Sequence, residues 1–381
     1  MKYMGSKKAM LLNGLGETIS EEISKSTRFV DLFSGSGAVS WHVSSRWQVP
    51  VLACDLQHYA VSLAAGVLTR TSPIQSTKTF DRWIKKAEDK VLSCPHYKDI
   101  LGNHMLLLED ANISCIAEGA RGIAAREGNN SIMRSYGGYY FSPMQCLWLD
   151  ALRQALPYRT QDRALALAAL ICTASRLAAS PGHTAQPLKA NETAGVYLRR
   201  AWKRDLLSVL KYNLIEVGRK SALKRGAAFQ GDALEVARTL QDGDLVFIDP
   251  PYSAVQYSRF YHVLETISSG MNFVPEGSGR YPPVSGRPVS AYSLKTKSRT
   301  AIVDLFRSLS SVGANAIVTF PEELASNGLS GRDVEEAADA YFVIKKRSVS
   351  TSFSTLGGTR ANRQARKVGG ELILALQAKG R

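Results

Sequence analysis

Apolar runs of strand length stand near both ends of this chain, and helix-spaced apolar positions fill the stretch between them. Arg28-Phe-Val-Asp-Leu-Phe33 is an apolar run that stops at Ser34-Gly-Ser-Gly37, and residues 38–47 then space their apolar positions as a helix does. The pattern predicts strand, tight glycine turn, helix. A second strand is expected at Val49-Pro-Val-Leu-Ala-Cys-Asp55, ending on a carboxylate about twenty residues after the glycines, with a helix over 57–68 behind it.

From about 66 to 225 helix-rich stretches such as 164–179 take over, broken by Gly128-Asn-Asn130 and Tyr136-Gly-Gly138. Strand and helix then alternate again. Ala228-Phe-Gln-Gly-Asp232 reads as a strand, 234–240 as a helix, and Asp244-Leu-Val-Phe-Ile-Asp249 as a central strand covered on both faces. A helix over 256–268, a strand over 315–320 and an antiparallel edge formed by 341–346 and 371–376 complete the expectation. The predicted fold class is an α/β sheet, residues 1–65 and 226–381, interrupted by a helical insertion at 66–225.

The chain has 381 residues, with 48 Lys and Arg against 33 Asp and Glu, a formal charge of +15. Its 45% hydrophobic and 21% charged residues support a real core and exclude wholesale disorder, and the charge suits a polyanionic partner. No run reaches the roughly 18 apolar residues of a membrane span. Residues 1–10 lack the apolar core of a secretory signal, so a soluble, cytoplasmic protein with no membrane partner is expected. Cys54, Cys94, Cys115, Cys146 and Cys172 are widely spaced, with no C-x-x-C pair and no His at ligand spacing. They are expected to be small buried side chains in a reducing compartment, and no metal site is expected.

Two acid-free stretches concentrate the basic excess. Residues 277–303 carry Arg280, Arg287, Lys295, Lys297 and Arg299, and residues 345–370 carry Lys345, Lys346, Arg347, Arg360, Arg363, Arg366 and Lys367. Basic loops rich in glycine and serine suit a phosphate backbone.

The sharpest chemical signal is Asp249-Pro-Pro-Tyr252, at the end of the predicted central strand. A given tetrapeptide of this kind arises by chance in on the order of one chain in a thousand of this length. The prolines fix the backbone beyond the strand and leave a carbonyl without a local partner. The Asp249 carboxylate and that carbonyl can then both accept hydrogens from one exocyclic amino group, while an aromatic ring three residues on can stack on a planar base. The exocyclic nitrogen of adenine or cytosine has its lone pair drawn into the ring, and two acceptors favour its localised, nucleophilic form. Displacement at a methyl sulfonium held in line then needs positioning and electrostatics, with no metal and no activated thiol. At the front of the chain, the glycines permit close backbone approach and open a helix N-terminus, and Asp55 can accept both ribose hydroxyl hydrogens.

Asp-Pro-Pro-Tyr at 249–252, the Asp31-Leu-Phe-Ser-Gly-Ser-Gly37 loop and Lys2-Tyr-Met-Gly-Ser-Lys7, in this order, resemble the Dam-like class of amino-group adenine DNA methyltransferases. The resemblance covers 1–65 and about 228–378, and it places helical DNA-contacting and target-recognition segments at 66–225. It implies a Rossmann-like methyltransferase sheet with a helical insertion subdomain, S-adenosylmethionine as cofactor, and methylation of N6 on an adenine flipped out of duplex DNA.

Carried onto this chain, the resemblance implies that Tyr3 and Lys7 line the methionine end of the cofactor. Phe33, Gly35 and Gly37 wrap its methionine and sugar, with Asp31 of the same loop among the contacts. Asp55 holds the ribose, and Asp232 accepts from the adenine amino group of the cofactor. Asp249, Pro250, Pro251 and Tyr252 form the catalytic loop, with Asp249 and the Pro250 carbonyl as acceptors and Tyr252 stacked on the base. The blander readings are a turn carboxylate for Asp55 and for Asp232, a solvated lysine for Lys7 and a core aromatic for Phe33.

Residues 257–265 put Arg259 and His262 on a helix near the expected base pocket, with Phe260 and Leu264 expected in the core and His262 as a structural hydrogen-bonding residue. Residues 351–360 and the basic positions after them resemble the late hairpin of this class. The expected DNA contacts are Arg259, Lys295, Lys297, Arg299, Arg360, Arg363, Arg366 and Lys367. The expected partners are duplex DNA and a cognate restriction nuclease or defence-system component, and a monomer is expected because one enzyme can read a whole short site. The rival readings are adenine in RNA, cytosine N4, which the resemblance associates with Ser in place of Asp249, and an inactive DNA-binding module of the same fold, whose glycine loop or Asp249 would be damaged.

Overall fold

The computed structural model describes residues 7–74, 77–126, 131–354 and 366–379. Among them, the β-branched and aromatic runs form β1 (Arg28–Asp31), β2 (Val51–Asp55), β3 (Ala227–Gln230), β4 (Asp244–Ile248), β5 (Asn315–Pro321), β6 (Phe342–Ser354) and β7 (Arg366–Ala378). They make one sheet in the order β3-β2-β1-β4-β5-β7-β6. The first five run parallel, and β7 inserts antiparallel between β5 and β6.

Side chains alternate between two helical layers, as the period of a strand requires. Val30, Val246, Ile248 and Val318 meet helices Ala233–Ala237, Ser298–Ser311 and Gly331–Asp339. Phe29, Leu245, Phe247 and Ile317 meet helices Leu15–Ile23 and Ala38–Ser44 on the other face. Every residue of β4 is therefore buried, as its unbroken apolar run predicts. Chain order reverses between β1 and β4, which opens a crevice at their C-terminal ends. The loops 34–37 and 249–252 both leave the sheet there.

Between β2 and β3 the longer elements are helices, among them Asp81–Leu92, Pro143–Gln154, Thr160–Leu177 and Leu206–Gly218. The expected boundary at 65/66 falls inside helix His58–Leu68. Gly66 packs closely on Thr160–Leu177 there, since a Cβ on it would come within 2.5 Å of Ala168 Cβ. One apolar cluster runs from Tyr59 and Leu63 through Leu170 to Ile267, so the inserted helices share a core with helix His262–Ser269. The cluster Gly128-Asn-Asn130 lies outside the described residues.

Three local expectations change. The helix expected over 256–268 is two, Tyr257–Phe260 and His262–Ser269, because Thr184 N and Oγ1 each donate to the Phe260 carbonyl at 2.7 Å. The edge pair is much longer than its apolar pattern, with β6 and β7 of 13 residues each. Ser348-Val-Ser-Thr-Ser-Phe353 has strand propensity without an apolar run, so hydrophobic pattern alone misses it. Cys54, Cys146 and Cys172 are buried, but Cys94 is half-buried and Cys115 is exposed, on helix Ile113–Arg126 away from the buried positions Ile116, Ala120 and Ile123. Among the described residues no helix is long and apolar enough to cross a membrane.

Candidate active site

β1 ends on Asp31, and the chain turns at Gly35 and Gly37, whose φ angles of 46° and 72° favour glycine. Gly37 N donates to the Ser34 carbonyl at 2.7 Å, and Gly37 begins helix Ala38–Ser44 with Trp41 Nε1 only 3.0 Å from where its Cβ would be. This turn lays Gly35 N on Asp55 Oδ2 at 2.9 Å, while Asp55 Oδ1 accepts from Gln57 N at 3.0 Å. Burial still lifts the Asp55 carboxyl to about 6 against those backbone donors. Asp31 is buried more completely. Its Oδ2 accepts from Ser40 Oγ at 2.6 Å and its Oδ1 has no partner among the described residues, and burial raises this carboxyl to about 7.

Asp249 follows directly on β4. Thr319 Oγ1 of β5 donates to Asp249 Oδ1 at 3.0 Å, and Lys7 Nζ stands 3.0 Å from the same oxygen. Oδ2 is left without a donor among the described residues. Lys7 is 5% exposed, and its ammonium also contacts Glu371 Oε1 of β7. Burial pulls the Lys7 pKa down, but Asp249 and Glu371 outweigh it and hold the group above the usual lysine range. Asp249 is raised to about 6 by burial, with Lys7 opposing and Glu371 adding to the rise.

The loop beyond is braced from the β5 side of the sheet. Asn327 Nδ2 donates to the Pro251 carbonyl at 3.1 Å and to the Tyr292 carbonyl at 3.0 Å, and Asn327 N donates to the Tyr252 carbonyl at 3.3 Å. Among the described residues nothing donates to the Pro250 carbonyl. The Tyr252 ring meets Phe320 edge-on at 6.5 Å and lies 6.0 Å from Lys7 Nζ. Gln256 ties the far end down, with its amide bonded to both N and O of Ser290.

One cleft joins the two loops, with about 940 Å³ of empty space counted to its open mouth. Lys7, Asp31, Phe33, Gly35, Asp55, Asp232, Asp249, Pro250, Pro251 and Tyr252 are among the residues that line it. Phe33 meets Tyr292 edge-on at 5.0 Å. Asp232 Oδ1 also caps helix Ala233–Ala237 by accepting from Leu234 N at 2.9 Å, so its turn role and its place on the cleft coexist. Lys7 is no solvated lysine. Gly37 shapes the turn without lining the cleft, and Tyr3 lies outside the described residues.

The expected DNA contacts fare unevenly. Arg259, Lys295 and Lys297 are exposed, whereas Arg299 pairs with Asp333 at 2.8 Å. Arg366 and Lys367 lie on β7 opposite Ser354 and Phe353, and Arg360 and Arg363 lie outside the described residues. The basic residues that open the 345–370 stretch are exposed or partly exposed but paired with acids. Arg347 reaches Glu17 and Glu21, Lys346 reaches Glu335 and Lys345 reaches Glu22. The strand pairing of β6 carries them over helices Leu15–Ile23 and Gly331–Asp339, where each has an acidic neighbour. His262 is structural. Its Nε2 faces the Thr184 carbonyl at 2.7 Å and must donate there, so Nδ1 accepts from Tyr136 Oη at 3.0 Å, and burial lowers the ring to about 3.

Sequence reasoning missed Glu371, Thr319 and Asn327. Thr319 and Asn327 carry no local signal. Glu371 did: a lone carboxylate opening the apolar run 371–376 needs a buried partner, and Lys7 is that partner.

The model of the D12 class N6 adenine-specific DNA methyltransferase family matches residues 3–93 and 156–318, more than half of the chain. The chain belongs to this family. Both loops of the cleft fall inside the matched residues, while Glu371 falls beyond them. Among curated relatives, this family member is 25% identical over 315 residues to modification methylase LlaI of Lactococcus lactis subsp. lactis, covering 81% of this chain and 44% of that protein. It is 24% identical over 280 residues to the type II methyltransferase M.FokI of Planomicrobium okeanokoites, covering 70% and 37% respectively. Against the type II methyltransferase M.NlaIII of Neisseria lactamica the figures are 24% over 286 residues, 73% of this chain and 72% of that protein. The chain thus spans less than half the length of the first two relatives.

Proposed function

We propose that the protein is a site-specific DNA methyltransferase of the Dam-like kind, built on a Rossmann-like sheet, which methylates N6 of an adenine flipped out of duplex DNA. The observation that carries this reading is a pair of acceptors without donors among the described residues, Asp249 Oδ2 and the Pro250 carbonyl, on two successive residues lining a cleft that also contains the glycine turn and Asp55. Two adjacent acceptors suit the two hydrogens of one amino group. Flipping follows because that nitrogen is engaged in pairing inside the duplex.

The residues present fit S-adenosylmethionine. Asp31 offers a buried oxygen with no partner, Asp55 offers a carboxylate for vicinal hydroxyls, and Phe33 and Asp232 line the remaining wall. When bound, this cofactor supplies a methyl group on a sulfonium. Asp249 and the Pro250 carbonyl hold the amino hydrogens and concentrate the lone pair on N6, and Tyr252 stacks on the base. Lys7 and Thr319 fix Asp249 through Oδ1, which keeps Oδ2 for the substrate. Asp249, raised to about 6, is the first acceptor for the proton that N6 releases. Residues 66–225 and the basic loops are the proposed reading surface of a monomer on duplex DNA.

Transfer of a labelled methyl group to mixed-sequence duplex DNA, with RNA in parallel and nucleoside mass spectrometry of the product, tests this. N6-methyladenine from DNA is expected. Label in RNA alone overturns the substrate, and absence of S-adenosylmethionine binding overturns the enzyme reading.

A further inference from the structure

Tyr281 is a fixed platform near the cleft. Its backbone bonds reciprocally with Glu276 at 2.8 and 2.9 Å, its hydroxyl donates to the Ala185 carbonyl at 2.5 Å, and its ring meets buried His262 at 4.9 Å. Two guanidiniums stack on it, Arg259 at 4.8 Å and Arg287 at 5.5 Å from the ring centroid.

A second ring nearby shows what structural arginines look like in this protein. Arg280 and Arg121 lie 4.5 and 4.7 Å from the Tyr139 centroid. Both have acceptors: Arg280 donates to the Ser135 and Arg134 carbonyls and Arg121 to the Gly138 carbonyl. Arg259 and Arg287 have none among the described residues. Among the described residues neither donates a hydrogen bond or meets a carboxylate, and Arg287 Nε is buried without a partner. Two like charges on one ring repel, and a buried guanidinium donor without an acceptor is costly. An anion relieves both.

We propose that Arg259 and Arg287 clamp a backbone phosphate of the substrate DNA beside the flipped nucleotide, an inference that rests on the function proposed above. The chain neighbours of both arginines, Ser258 and Pro288, line the cleft while the arginines themselves do not, which puts the pair just outside its lining. Four carboxylates, Asp31, Asp55, Asp232 and Asp249, outnumber the paired Lys7 in the cleft lining and disfavour phosphate there, so a nucleotide entering base-first leaves its phosphates outside the lining, on the side of the guanidiniums. Guanidinium forks bind phosphate oxygens in pairs, so the contact is insensitive to sequence and fixes the register of the strand.

The test is duplex binding by fluorescence anisotropy across a salt series, on the full chain, for Arg259→Gln and Arg287→Gln, with Arg280→Gln as control. Each clamp variant is expected to flatten the slope of log affinity against log salt by about one, while S-adenosylmethionine affinity stays unchanged. Arg280→Gln is expected to lower Tm and keep the slope. Unchanged slopes with lowered Tm in both clamp variants would mean that the arginines only brace Tyr281, and equal flattening by Arg280→Gln would mean a diffuse charge effect; either overturns the clamp alone. A wild-type chain that binds cofactor but shows no salt-dependent duplex affinity overturns the clamp together with the DNA reading.

Discussion

Lys7 and Glu371, 364 positions apart in sequence, are in direct contact in the buried wall of the cleft. The ammonium therefore divides its attraction between Glu371 and Asp249, 3.0 Å away on the other pairing. This makes Glu371 a positioning residue: it restrains Lys7 from neutralising Asp249 completely. Glu371→Gln removes a negative neighbour that raises Asp249, so the acid limb of the kcat profile moves below its expected place near pH 6, and kcat falls roughly tenfold as Lys7 closes on the acceptor. Lys7→Met acts the other way. It removes the group that lowers Asp249, so the acid limb moves up, and two buried carboxylates without a cation cost about 3–5 kcal/mol of stability. Shifts of the same sign in both variants would contradict the shared-cation arrangement.

Asp249→Ala removes a cleft-lining carboxylate with one oxygen free of donors among the described residues. Methyl transfer is expected to fall by at least about a hundredfold to a thousandfold, by analogy with loss of one preorganised charge-stabilising group. Duplex affinity, carried by basic residues elsewhere, is expected to change little. Loss of affinity in step with activity, together with a lowered Tm, would show that the substitution damages the fold instead.

Asp31 ties function to a stability cost. Its carboxyl rises from 3.8 to about 7 in the folded chain, mainly through burial. The folded state thus binds the proton more tightly than the unfolded state, and stability from this group is complete below about pH 4 and lost as pH climbs through 7. Asp31→Asn keeps an oxygen for Ser40 and carries no charge. It should stabilise the ligand-free protein at pH 8 by on the order of a few kcal/mol, read as a higher Tm, and show no gain at pH 4. Cofactor affinity should fall in the same variant. A Tm gain that does not depend on pH would separate the effect from Asp31 titration.

Much of the sheet and half of the site were legible because their signals are local. β4 shows as an unbroken apolar run, and the turn at Gly35 and Gly37 shows as glycines at fixed spacing before helical periodicity. Asp249 is recognisable from the prolines beside it. What stayed hidden depends on pairing across the sheet. Thr319 reaches Asp249 only because β5 lies beside β4, and Glu371 reaches Lys7 only because β7 inserts antiparallel next to β5. The split at Tyr261 was equally unreadable, since the donor that ends helix Tyr257–Phe260 is Thr184, 76 positions upstream of Phe260. The acidic neighbours of 345–347 were hidden for the same reason: they lie on helices whose position over β6 no sequence window contains.

Those ion pairs yield a direct comparison. Arg347 has a side chain 38% exposed and pairs with Glu17 and Glu21, both at least half exposed, so its removal costs under about 1 kcal/mol. Its charge is already balanced by two acids, so it releases few counterions on meeting DNA. Lys297 is exposed and has no ion pair among the described residues, two positions from Arg299, which does have one. Arg347→Ala is therefore expected to leave the salt dependence of duplex binding unchanged, while Lys297→Ala flattens its slope by about one. Basic residues of the same chain would then be sorted by their neighbours in the fold. If Arg347→Ala flattens the slope as much as Lys297→Ala, the acids on helix Leu15–Ile23 give way when DNA arrives, and the ion pairs of β6 belong to the free protein alone.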